Sequence, residues 1–283
     1  MVLNTIFIAI GLLFMVPARA VSQETEHSEK NANELARSVL QNEVNAEAND
    51  RSHWMLKLET EKSGGKEVYQ VVETKNGDLK RPVSINGRPL TAKQEHDADQ
   101  QIRRLTGDSN ALRKAMKEQN EDAARSQRML KMLPEALMFR FGDRRGDAIE
   151  LHFTPNRHFR PATREAQVFQ AMEGNLWVDS KQARLIEISG HLIREVKFGG
   201  GLLGHLNAGG QFEVKQTEVA TGYWELTLLN VDMKGKALFF KTISVQQKVR
   251  RSDFHQISDD LTVAEAANLL RKQAVVGGTV GDQ

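Results

Sequence analysis

One stretch limits the fold of this chain more than any other, the alternation over residues 184–198. Ile186, Ile188, Gly190, Leu192, Val196 and Phe198 fall on one parity, and Glu187, Ser189, His191, Glu195 and Lys197 fall on the other. Residues two apart on a strand share a face, so the pattern describes a sheet with one apolar and one wet side, broken only at Arg194. Other segments behave alike. Trp54, Leu56 and Leu58 alternate with Met55, Lys57 and Glu59, while Val68, Gln70 and Val72 make one face of the next strand. Leu137–Phe141, Ala148–Phe153, Asn175–Asp179 and the stretches near 210–219, 223–233 and 237–251 read as further strands. Ser63-Gly64-Gly65 offers a turn, and Asn76-Gly77 predicts a two-residue type I′ hairpin, whose central positions both need positive φ. A second Asn-Gly, at 86–87, ends the third strand. About ten strands joined by short turns make an antiparallel meander, which excludes a parallel βαβ sheet.

Helical periodicity appears at three places around this meander. After a polar, solvated lead-in over 21–30, Ala32, Leu35, Ala36, Val39 and Leu40 form one stripe of an amphipathic helix. Residues 91–133 are long, charged and poor in β-branched side chains. They predict two helices broken at Gly107, with Asp108 or Ser109 as N-cap of the second and Pro134 as its end. Leu112, Met116, Ala123, Leu130 and Leu133 give that second helix a thin apolar stripe, which suits a solvated hairpin or a surface that docks a partner. A short helix over about Arg164–Met172 and a last one over Val263–Arg271, opened by a Thr262/Glu265 capping box, complete the set. The chain thus reads as one α+β domain over 21–272, with 91–135 as a helical insertion and 273–283 as a frayed tail.

The N-terminus reads as an address. Thr5–Val16 is an apolar run of signal-peptide length, short of the roughly 20 residues that span a bilayer, and Pro17 stops it. Ala18 and Ala20 are the small residues that a signal peptidase accepts, which predicts cleavage after Ala20. There is no cysteine, so disulfides, thiolate metal sites, cysteine nucleophiles and a lipidated N-terminal cysteine are all excluded. An exported chain without disulfides suits the periplasm, and a mean hydropathy of −0.48 suits a mature form that does not span the membrane. With 39 Lys+Arg against 37 Asp+Glu, the formal charge of +2 leaves no basic excess for nucleic acid.

Motifs for chemistry are weak. Gly199 to Gly204 contains a G-x-G-x-x-G, but another strand follows where dinucleotide binding needs a helix. His152 and His158 lie six apart across Pro155, which is no metal spacing, and His96, Asp97 and Asp99 read as the start of an exposed helix. Neither a metal nor a cofactor is expected. Arg144 and Arg145, together with Arg157, Arg160 and Arg164, form a basic set suited to an anionic headgroup, a partner or plain solvent. The apolar sheet face matters most. The helices are only weakly apolar, and whatever they leave bare calls for a ligand or partner.

From Gly174 through Asp179 (Gly-Asn-Leu-Trp-Val-Asp), Arg184–Ile188 and the strands carrying Phe212, Trp224 and Phe239-Phe240, the chain resembles the periplasmic lipoprotein-carrier superfamily, the LolA, LolB and LppX type. Residues 137–254 resemble in particular uncharacterised secreted proteins of the outer-membrane lipoprotein-sorting-like kind, in Phe198–Leu203 and Lys234–Lys241. The resemblance implies an antiparallel β half-barrel with helices plugging its concave face. It implies a non-enzymatic carrier for an acyl chain, lipid or lipoprotein, with Arg184 and Arg194 as candidates for the carriers' gating arginine. The expected ligand-binding positions are Leu56, Ile186, Ile188, Leu192, Val196, Phe198, Trp224 and Leu226. The alternative is an envelope scaffold with a closed core and a protein partner but no ligand.

Overall fold

The structure, a computed structural model, describes residues 18–237 and 241–278. The apolar run Thr5–Val16 lies outside them. Among the described residues thirteen strands form one open antiparallel sheet, a half-barrel in an α+β chain. The N-terminal strands are β1 (His53–Lys62), β2 (Gly65–Val72), β3 (Leu79–Ile85) and β4 (Arg88–Pro89). After the helical insertion come β5 (Leu137–Arg145), β6 (Ala148–Pro155), β7 (Met172–Asp179), β8 (Arg184–Leu192), β9 (Val196–Phe198) and β10 (Gly204–Leu206). The last strands are β11 (Gln211–Ala220), β12 (Tyr223–Ala237) and β13 (Lys241–Ile257). Side by side they run β4-β3-β2-β1-β13-β12-β11-β8-β7-β6-β5, with β10 between β12 and β9.

The count exceeds the expected ten because β4, β9 and β10 are two or three residues long, too short to show a period. The strand expected over 184–198 is two: it leaves the sheet at Ile193-Arg194-Glu195, so Val196 and Phe198 belong to β9. The hairpin turns also change places. Asn86 and Gly87 have φ of 52° and 74°, the type I′ signature, whereas at 76–77 only Gly77 is positive. There the Thr74 hydroxyl accepts from Asn76 N–H and donates to Gly77 C=O, holding a wider turn.

Among the described residues five α-helices accompany the sheet: α1 (Ala18–Asn49), α2 (Ala92–Gly107), α3 (Ser109–Ala136), the single turn α4 (Arg164–Gln167) and α5 (Val263–Gly278). The expected break falls at Gly107–Asp108, where the Asp108 carboxylate accepts from the Asn110 and Ala111 N–H groups. The Thr262/Glu265 box caps α5 as expected. Three limits differ. Residues 21–30 are helical rather than a lead-in, α3 carries Pro134 in its last turn and runs to Ala136, and α5 extends past Arg271 to Gly278.

Register traces one face across the molecule: Leu151, Leu176, Ile188, Val214, Leu229, Val249, then Thr60 and Glu67. The row is aliphatic until β1 and polar beyond it. On this inner face α1 buries Ala32, Ala36, Val39 and Leu40, and α3 buries Leu133 and Ala136, against Leu137, Phe139, Leu151, Phe153, Leu176 and Leu185. Trp54, Leu56 and Val71 cluster further along the same face, and Val219 and Ala220 of β11 pack against them. Three strand spacings of about 4.8 Å separate β11 from β1 in a flat sheet, so this contact requires the sheet to curl toward its inner face. The outer face carries a separate cluster at the β1–β3 side, where Ile102 of α2 and Ala266, Ala267 and Leu270 of α5 cover Val72 and Leu79.

Both sheet edges are blunted. The β4 edge is two residues long and ends in Pro89, which has no N–H to offer. On the β5 edge, the Asn33 side chain of α1 accepts from Phe139 N–H at 3.1 Å and donates to Phe139 C=O at 3.3 Å. An amide side chain thereby stands in for a neighbouring strand.

Candidate functional site

The helices cover β5–β8 on the inner face and leave β11–β13 facing a cavity of about 1170 Å³. Pockets for small ligands usually run about 300–1,000 Å³, so this one is large. Its floor is Leu185, Ile188, Phe212, Val214, Leu226 and Leu229; its roof is Ala123, Ser126, Met129, Leu130 and Leu133 of α3 with Glu43, Ala46 and Glu47 of α1. Phe153, Phe169 and Met172 close the apolar end, while Asp50, Arg51, Arg184, Glu225, Arg251, Gln256 and Asp259 surround the polar end. The α3 helix, read from sequence as a solvated or docking element, therefore roofs a cavity.

Two glycines shape the floor. Gly174 and Gly190 face each other in register, flanked by Phe153 and Phe212. A Cβ on Gly174 would strike Ser189 C=O and the Phe153 ring, and one on Gly190 would strike Glu173 C=O and the Phe212 ring. Their missing side chains let both rings lie over the sheet and line the cavity. Gln216, also on the wall, has a buried Oε1 without a hydrogen-bond partner among the described residues. A donor on a bound molecule would satisfy it.

Charge at the polar end is tightly arranged. Glu43 of α1 is 4% exposed and accepts from Arg184 Nε at 2.8 Å, Arg184 Nη2 at 3.2 Å and Leu185 N–H at 2.7 Å. This forked pair ties α1 to the start of β8, and the Arg184 guanidinium also sits 5.6 Å from the Trp224 ring centre. Arg251 stands 3.8 Å from Glu73, which accepts from Trp54 N–H at 3.1 Å. Burial, reinforced by the nearby Asp78 carboxylate, pushes the Glu73 carboxyl up to about 7. Burial also raises Asp78, Glu225 and, on the roof, Glu47 above the usual carboxylate range. Asp78 is further held by Gln119 of α3.

Of the positions expected to line an apolar cavity, Ile188, Trp224 and Leu226 do line it. Leu192 and Val196 are buried in the core beyond it, and Phe198 packs on that core's margin. Leu56 is buried in the Trp54 cluster. Ile186 is the bulged residue between Leu185 and Glu187, where the β7–β8 register slips, so Leu185 takes the inward place expected for it. Sequence reasoning missed Phe212, Val214, Leu229 and the roof residues Met129 and Leu130. It also missed Glu43, although a glutamate continuing the stripe of Val39 and Leu40 was a visible signal of a buried acid.

Arg184 is the inward arginine of the two candidates; Arg194 is exposed and donates to Gln170 C=O. The basic set is split: Arg144 and Arg145 end β5, whereas Arg157, Arg160 and Arg164 follow the far end of β6. His152 bonds Asn175 at 2.6 Å and His158 lies in a loop, and among the described residues no cluster of potential metal ligands occurs. A 3-10 turn (Gly199–Gly201) and β10 follow Phe198, so the glycine-rich loop opens no α-helix. No described helix is long and apolar enough to cross a membrane. Compared with known proteins, the chain matches no family model, no curated protein and no solved structure.

Proposed function

We propose that this protein is a non-enzymatic carrier that shelters the acyl chain of a lipid or lipoprotein, working in the periplasm after export. The cavity carries this reading. Its floor is aliphatic and aromatic, its roof sets Met129, Leu130 and Leu133 beside Glu43, Glu47 and Arg125, and most of its charge gathers at the end of Arg184, Glu225 and Arg251, a layout that suits an amphiphile. Burying about a dozen methylenes at roughly 0.8 kcal/mol each supplies about 10 kcal/mol, enough to outweigh the several kcal/mol that association costs. The unpaired Gln216 Oε1 favours a ligand with a hydrogen-bond donor near its head. Arg184 and Glu43, locked together, set the width of the polar end without taking part in chemistry.

The test is organic extraction and mass spectrometry of gently purified protein, followed by titration with a fluorescent fatty acid. Acyl cargo and saturable binding are expected, and Val214→Trp, which fills the floor, should abolish both while the fold persists. No extracted lipid and no fatty-acid binding by the intact protein overturn the reading.

A further inference from the structure

Strand register sorts the loops into two ends, and the ends differ in charge. Pro155, Met172, Leu192, Gln211 and Ala237 all point to one end, which carries the 156–163 loop, α4, the β8–β9 connection and the β9–β10 hairpin. Exposed there are Arg157, Arg160, Arg164, Lys197, Lys234 and Lys236, beside the carboxylates Glu195 and Asp232. Pairing of Lys197 with His205, and of His205 with Lys236, sets these basic groups in a row on one face of the hairpin. α4, which bears Arg164, packs against β9, so the loop and the hairpin form one surface. The opposite end is mixed, its exposed Asp147, Glu218, Asp259 and Asp260 standing among Arg144, Arg145, Lys75 and Lys181, with Lys181 paired to Asp147 at 2.8 Å and Lys75 to Asp260 at 3.3 Å.

At the tip of the basic end stands Leu202, 83% exposed, the barest large apolar side chain among the described residues. Three successive glycines with φ of 58°, 66° and 95° carry the backbone out to it. Ile193, 40% exposed, lies on the neighbouring β8–β9 connection. An apolar tip inside a cationic collar has no use for nucleic acid, which offers charge but no apolar phase. It matches a bilayer, which offers both. We propose that this end docks on a lipid surface bearing anionic headgroups, with Leu202 entering the headgroup region and the six basic side chains facing the phosphates. The cavity's polar end then faces the water. Docking stands apart from the carrier reading, since it needs no ligand in the cavity.

Co-sedimentation of the full protein with vesicles of phosphatidylglycerol and phosphatidylcholine, against phosphatidylcholine alone, tests this at low and high salt. Binding to the anionic vesicles only, weakened by salt, is expected. Leu202→Ser should weaken it about tenfold. Loss of each lysine is worth about fivefold, so Lys197→Glu with Lys236→Glu should weaken it at least 25-fold. Arg144→Glu with Arg145→Glu, at the other end, should leave it unchanged. Equal binding to both vesicle types, equal loss from the far-end pair, or tighter capture of poly-glutamate or DNA than of vesicles overturns the proposal. An empty cavity with intact vesicle binding rejects the carrier reading alone.

Discussion

Replacing Glu73 by Gln should stabilise the protein in alkaline solution and leave it unchanged in acid. In the unfolded chain a glutamate loses its proton near 4.5, whereas in the folded state Glu73 keeps it to about 7. The folded form therefore binds the proton more tightly. Its contribution to stability is full below the unfolded value and disappears as pH rises through the folded one. A gap of about 2.5 pH units at roughly 1.4 kcal/mol each makes the ionised carboxylate a burden of about 3 kcal/mol above pH 8. The Glu73 side chain is 17% exposed, so water removes little of this. Gln keeps an oxygen to accept from Trp54 N–H and removes the charge that faces Asp78 and Glu225. Arg251 retains the neighbouring Glu225. Urea denaturation of both proteins from pH 4 to 9 should give coinciding stabilities at the acid end and a gap widening toward 3 kcal/mol at the alkaline end. Parallel curves across that range would refute the assignment of Glu73 as a desolvated acid.

Three further substitutions probe the cavity walls. Glu43→Ala should cost about 3 kcal/mol in urea denaturation, because it leaves Arg184 and Leu185 N–H unpaired in a buried place. Adding Arg184→Met to that variant should recover much of the loss, since an apolar pair tolerates this site better than a lone charge. Gly190→Ala should destabilise by about 1–3 kcal/mol and weaken fatty-acid binding, as the new methyl drives the Phe212 ring from the floor. Unchanged binding in that variant would show that Phe212 does not shape the occupied space.

The strands and the helix breaks were legible because they depend on neighbours along the chain: alternation on β1, β6 and β12, the Asp108 cap and the Thr262/Glu265 box are local. What failed was anything set by a partner strand. The bulge that exchanges Leu185 for Ile186 is imposed by β7, and a period of two read on β8 alone cannot register it. The type I′ turn moved from Asn76 to Asn86 because the Thr74 hydroxyl stabilises a competing turn at the first site. The cavity was foreseen as bare apolar area, yet its roof was not. The α3 helix has so thin a stripe that Met129, Leu130 and Leu133 resemble a solvated surface until the sheet beneath is known.

The pairing of β1 with β13 joins residues near the beginning of the chain to residues near its end, as between His53 and Ile257. Among the described residues, the β1–β4 hairpins pair with the rest of the sheet only through that seam. Until the final strand arrives, the inner row of β1 has no flank on one side, and the closing loop from His53 to Ile257 spans well over half of the 283 residues. Such long-range closure makes folding slow and late, with greasy strand edges bare in the meantime. Shortening the chain from its C-terminus by even one strand should therefore strand a third of the sheet, a failure that no local repair in β1–β4 can mend.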